Sequence, residues 1–252
     1  MLVRSLLIVL LLAAPIAGCG SADDAGRAPG AQTAAASPAT IDTPPDAGAL
    51  RPAVAGDGPR VVFMGTSLTA GFGLPSPDDA FAARLQEMAD SAGVPARMIN
   101  AGVSGETSAG GLRRIGWLVG DTVDVLVLEL GANDGLRGQD TEALAANLEA
   151  IIDTTRAHWP DAEIVLAGMQ APPNLGARYT GAFGAVFPRV AAERKTALVS
   201  FLLKGVAGMR EFNQGDGIHP TPEGHRMIAR TVWPVLAPAI ERAAARPTRG
   251  PR

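Results

Sequence analysis

The sequence predicts an α/β fold: a parallel sheet of about five strands flanked by helices, in one domain spanning residues 59–242. Three observations carry this. Continuous apolar runs of strand length recur along the chain, as strands buried on both faces require. Segments with helical spacing and capping residues alternate with them. A chain of 252 residues with 47% hydrophobic content holds one core of ordinary size but hardly two.

Residues 1–18 carry one cation, Arg4, then an apolar stretch from Leu6 to Ala14, then Pro15, Ile16, Ala17 and Gly18 before Cys19. This is the layout of a secretory signal, too short to span a bilayer. Residues 19–58 are Ala, Pro, Thr, Ser, Gly and Asp with hardly a large apolar side chain to bury, and read as a flexible tether. The expected strands are Arg60 to Gly65, Ala96 to Asn100, Val123 to Leu130, Ala162 to Met169 and Ala197 to Leu202. The first helix is punctuated by Ser76 as N-cap, Pro77 at its first position and Asp78 and Asp79 in its first turn, with Phe81, Leu85, Met88 and Ala92 along one face. Asp140 to Trp159 repeats the logic, with Leu144, Leu148, Ile151 and Ile152 inward and Pro160 as the stop. Thr221 caps the last helix and Pro222 opens it, while Pro234 and Pro238 are expected to kink or fray its end. Residues 243–252 are expected to form a disordered tail.

The net charge is −3 and no run of Lys or Arg occurs, so there is no footprint for nucleic acid. Cys19 is the only cysteine, which excludes an intramolecular disulfide.

Sites on open parallel sheets form at the carboxyl ends of strands, and four segments fall there or just before the last helix. Gly65-Thr66-Ser67-Leu68-Thr69-Ala70-Gly71 places a serine hydroxyl at a strand end. Asn100 to Thr107 offers backbone N–H groups and Gly131-Ala132-Asn133-Asp134-Gly135 offers an amide, both suited to an oxyanion. Each is weak alone, because Ser and Asn in Gly-rich loops are ordinarily turn or cap residues. Asp216-Gly217-Ile218-His219-Pro220 is more specific: a base needs an orienting carboxylate on its other ring nitrogen, and this turn sets the two residues three apart. Of the three histidines, His158 ends a helix and His225 lies inside the last one with no acid at matching spacing, which leaves His219 as the candidate base. Glu129, in an otherwise apolar strand, must find a donor or leave the sheet's interior. A metal site on Asp216 and His219 lacks an evident third ligand. The G-x-S-x-G elbow and the P-loop both fail on spacing or residue type.

Taken together, these segments resemble the GDSL family, also called SGNH hydrolases, from about Arg60 to Leu236. Ser67 matches the family nucleophile, Gly105 and Asn133 the oxyanion residues, and Asp216 with His219 the closing acid–base pair; the Ser67 N–H would complete the oxyanion hole. GTSLTAGFGL, ELGANDGLRG, GARYTGAFGAVFP and DGIHP are most similar to the bacterial periplasmic thioesterase, arylesterase and lysophospholipase subgroup. The resemblance implies a flavodoxin-like three-layer sandwich, no metal and no cofactor, and an acyl ester, thioester or lysophospholipid as substrate. One residue departs from the pattern: the usual Asp of the first block is Thr66. Ile16-Ala17-Gly18-Cys19 resembles a bacterial lipobox, implying an exported protein anchored through lipidated Cys19 and facing the periplasm. Gly20, in place of an inner-membrane retention Asp, leans toward the outer membrane. A monomer is the simpler expectation. Phe72, Leu74, Leu136 and Leu175 lie in strand-end loops as candidates for an acyl pocket. The rival readings are a carbohydrate O-deacetylase of the cell envelope, and a binding lipoprotein that uses the scaffold without catalysis.

Overall fold

The structure, a computed structural model, describes residues 51–52 and 58–246, all within the unit Pro44–Arg252. The expected signal, Cys19 and most of the expected tether and tail lie outside the described residues. Among the described residues the sheet has six strands: β1 (Arg51–Pro52), β2 (Arg60–Gly65), β3 (Arg97–Gly102), β4 (Val125–Glu129), β5 (Glu163–Ala167) and β6 (Ala197–Val199), in the order β1-β3-β2-β4-β5-β6. β2 to β6 are parallel, in the register Val61 to Val125 and Val125 to Glu163, and β1 adds an antiparallel edge on β3. All five residues of β4 are buried, which explains the unbroken apolar run of a central parallel strand.

The helices are α1 (Ser67–Ala70), α2 (Phe81–Ala92), α3 (Ser108–Leu118), α4 (Ala132–Leu136), α5 (Thr141–His158), α6 (Ala177–Arg194) and α7 (Pro222–Ala244). α2 packs on α7, while α5 packs between α3 and α6, giving two helical layers on the sheet. α5 is capped by the Asp140 carboxylate and buries Leu144, Leu148, Ile151 and Ile152 as its spacing predicts.

Four expectations need correction. The tether does not reach Gly58 without structure, because Arg51–Pro52 pairs with Ile99 and Asn100 at the sheet edge. The first helix divides in two: Ser76 caps a 3₁₀ turn over Pro77–Asp79, Ala80 is extended, and α2 starts only at Phe81. No side chain at Ala80 caps α2. Instead the Phe81 N–H donates at 3.1 Å to Nδ1 of His225, whose ring stacks on Phe81 from α7. Burial pushes this imidazole down to about 4. The prolines do not end α7, which continues through Pro234 and Pro238 to Ala244 with Leu236, Ala239 and Ile240 buried on the core. That apolar face outweighs the hydrogen bonds the prolines remove. The ordered chain accordingly passes the expected boundary at residue 242, and Arg246 pairs with Glu163.

β2 is the switch point of the sheet, with β3 on one side and β4 on the other. The chain segments leaving β2, β3 and β4 thus emerge side by side at one end, where a site is expected.

Candidate active site

β2 ends at Gly65 and turns at once into α1, with Thr66 as N-cap and Ser67 as the first helical residue. The turn is tied down by Glu129, the fully buried last residue of β4. Its carboxylate accepts from the Thr66 N–H (2.8 Å), the Thr66 hydroxyl (3.0 Å), the Thr69 hydroxyl (2.7 Å) and the Thr69 N–H (3.3 Å). Burial pushes Glu129 up to about 7, against the pull of these donated bonds toward the ionised form. Gly65 makes the space: a Cβ there would lie 2.5 Å from Glu129 Oε2 and closer still to the Thr69 hydroxyl. Glu129 therefore stays in the sheet's interior because it finds donors. Thr66, the departure from the resemblance noted in the sequence, is an uncharged donor and suits a position that faces this buried acid.

The opposite wall is the turn before α7. Asp216 Oδ1 accepts from the Ile218 and His219 N–H groups at 2.9 and 3.0 Å, and Oδ2 lies 2.7 Å from His219 Nδ1. The backbone N–H of His219, then its ring and the Ile218 N–H, hold the Asp216 carboxyl well below the usual carboxylate range. With an ionised acceptor on Nδ1, the ring proton belongs there and the lone pair on Nε2, which faces Ser67 Oγ at 3.0 Å. The Phe72 ring rests 4.6 Å from the imidazole, centroid to centroid. Gln214 donates to the Phe72 and Pro220 carbonyls, joining the two loops.

The third wall brings Gly105 and Asn133 together. Gly105 has φ of +78°, a left-handed conformation that favours glycine even though a Cβ would meet nothing there. Asn133 sits in α4 and donates one amide hydrogen to the Glu106 carbonyl at 2.9 Å, leaving its second for another acceptor. Next to it, buried Asp134 accepts from the Ser108 N–H and hydroxyl, tying α4 to the start of α3. Gly135 packs against the Phe183 ring of α6 and Gly131 against Phe187, so the GANDG and GARYTGAFGAVFP stretches meet in space.

Ser67, Gly105, Asn133 and His219 all line one pocket of about 300 Å³. Phe72 and Leu136 line it, together with Leu68, Met169, Leu203 and Ile218. Leu74 and Leu175 do not: Leu74 turns back over Gly71, to which its N–H bonds, and Leu175 packs against the main core. Met169 follows β5 and Leu203 follows β6, so the strand-end rule points to both. A hydroxyl bonded to a carboxylate-backed imidazole, beside N–H donors and an apolar wall, holds the parts that acyl transfer needs.

Comparison with known proteins gives the same direction. The model of the GDSL-like lipase/acylhydrolase family matches residues 63–227. The chain is similar to the esterase TesA of Pseudomonas aeruginosa, with 41% identity over 181 residues covering 71% of this chain and 89% of that protein. It is 34% identical over 181 residues to the thioesterase 1/protease 1/lysophospholipase L1 of Escherichia coli K12, covering 71% of this chain and 84% of the relative. The crystal structure of TesA matches with a TM-score of 0.68 and 41% identity over 71% of this chain and 99% of that one.

Proposed function

The chain belongs to the GDSL-like lipase/acylhydrolase family, and on that premise we propose that it hydrolyses carboxylic esters and thioesters of acyl chains with Ser67 as nucleophile. The observation that carries this reading is the unbroken line from Asp216 through His219 to the Ser67 hydroxyl, with contacts of 2.7 and 3.0 Å. Ser67 Oγ attacks the acyl carbonyl carbon while its proton passes to His219 Nε2. The tetrahedral oxyanion is held by the N–H groups of Ser67 and Gly105 and the free amide hydrogen of Asn133. On collapse the bond to the leaving oxygen or sulfur breaks and the imidazolium returns its proton to that atom. Water, deprotonated by the same ring, then releases the acid and restores Ser67. Asp216 holds the Nδ1–H tautomer throughout. The relatives' names, esterase and thioesterase/lysophospholipase, support the substrate class, and the apolar side of the pocket suits an acyl chain.

The test is a fluorophosphonate probe on the purified full-length protein, read by mass spectrometry. One adduct on Ser67, absent from Ser67→Ala, is expected; a folded protein that takes none would remove the nucleophile from this reading. The sequence at Ile16 to Cys19 supports export, lipid attachment at Cys19 and a periplasm-facing anchor. Cys19→Ser should then move the protein from the membrane to the soluble fraction, and an unchanged membrane fraction would refute the anchor.

A further inference from the structure

Ser104 and Gly105 line two hollows: the pocket that holds Ser67 and His219, and an open basin of about 520 Å³ bordered by Glu106, Arg113, Arg114, Trp117 and Arg137. Charge in the basin does not cancel. Arg114 engages Glu106 bidentately, Nε donating to Oε1 at 2.7 Å and Nη2 to Oε2 at 2.5 Å, and its Nη2 also donates to the Ala101 carbonyl, so this pair braces the oxyanion loop. Arg113 and Arg137 are both exposed, and neither forms an ion pair among the described residues. Arg137 has only the Gly105 carbonyl, at 3.2 Å. Trp117, one turn beyond Arg113 on α3, is 88% exposed. Two uncompensated guanidiniums and a bare indole thus stand beside the loop that is to hold the oxyanion.

We propose that this basin binds the phosphate-bearing leaving group of the ester or thioester whose carbonyl lies at Ser67, an inference that rests on the hydrolase reading above. An acyl chain running along Phe72, Met169 and Ile218 leaves the rest of the substrate to cross the shared Ser104–Gly105 rim. There the basin offers what a phosphate needs: planar guanidinium forks that can donate two hydrogen bonds at once. The indole face covers the carbon part of the leaving group. A glycerophosphate headgroup and a phosphorylated thiol carrier share this chemistry, and the test separates them.

Hydrolysis by the full-length protein is measured on three substrates with one acyl chain: a neutral p-nitrophenyl ester, the coenzyme A thioester and the lysophosphatidylglycerol ester. In Arg113→Gln the kcat/KM ratio of phosphate-bearing to neutral substrate should fall about tenfold, through KM, since a charged hydrogen bond is worth roughly that factor. R113E should lower it further, and added salt should lower it in the wild type. A fall for the coenzyme A ester alone, or the lysophospholipid alone, identifies which source the basin takes. Ratios that hold constant in both variants, while the neutral ester is still turned over, overturn the basin and leave the hydrolase reading standing. No turnover of any substrate together with no fluorophosphonate adduct would overturn both.

Discussion

The two loops that meet at the 3.0 Å contact between Ser67 and His219 are held by opposite means. The serine loop is buried and its bonds are long-range: Thr66 and Thr69 reach Glu129 across 63 and 60 residues, and the Asn100 amide reaches the Thr69 carbonyl across 31. The histidine loop is exposed and its acid–base pair holds itself, since every bond of Asp216 goes to residues two or three positions on, although Gln214 ties the loop to the Phe72 carbonyl. A loop of the first kind depends on the sheet being assembled; the Asp216–His219 pair of the second is set by its own turn. Positioning the Ser67 hydroxyl is thereby coupled to global stability, while orienting the His219 ring is largely independent of it.

That contrast breaks most sharply at Asp216. Asp216→Asn removes the charge that fixes the ring tautomer, and kcat should fall by about a hundred- to ten-thousandfold with little change in the urea midpoint; a large midpoint loss would mean this pair is not set by its own turn. Glu129→Ala should do the reverse. Four donors lose their acceptor in a buried site, at a cost of roughly 3 kcal/mol, or about 10 °C in Tm. Thr66→Val, which removes one of the four, should cost about 1 kcal/mol. Full stability in Glu129→Ala would show the network to be ornamental.

Glu129 and the other buried titratable side chain, His225, give stability opposing dependences on pH. Glu129 sits near 7 when folded against an ordinary 4.5, so the folded protein keeps a proton the unfolded chain has lost, and stability falls as pH rises from 4.5 to 7. His225 sits near 4 against 6.5; the unfolded chain binds the extra proton, and stability rises from pH 4 to 6.5. The two slopes oppose each other across most of their range and nearly cancel. Glu129→Gln should unmask the rising slope and His225→Asn the falling one, each of order 1 kcal/mol per pH unit at its steepest, in urea unfolding across pH 4 to 7.5. Identical profiles for the two variants would contradict this.

The same division decides what could be read in the sequence. The Asp216–His219 pair was legible because its contact is three residues long, and β4 was legible because a strand buried on both faces leaves a continuous apolar run. Thr66 counted only as a departure and Glu129 only as a problem, because nothing local links two positions 63 residues apart. β1 has no apolar run to announce it, and its pairing comes from the free edge of β3. α6 was hidden by its glycines and Pro188, which lower helical propensity; burial of Phe183 and Phe187 against α4 and α5 outweighs that. Leu74 and Leu175 were placed in loops at the correct end of the sheet, but loop position says nothing about which way a side chain turns.

The bond from the Phe81 N–H to His225 Nδ1 also has a spectroscopic consequence. It fixes the ring as the neutral Nε2–H tautomer, because Nδ1 must accept. In a nitrogen-15 spectrum this imidazole should show the tautomer's widely split pair of shifts, unchanged with pH until about 4. Of the three histidines in the chain, one therefore serves as a built-in standard: while its signals stay put, any movement in those of His219 reports chemistry at the site and not loss of the fold.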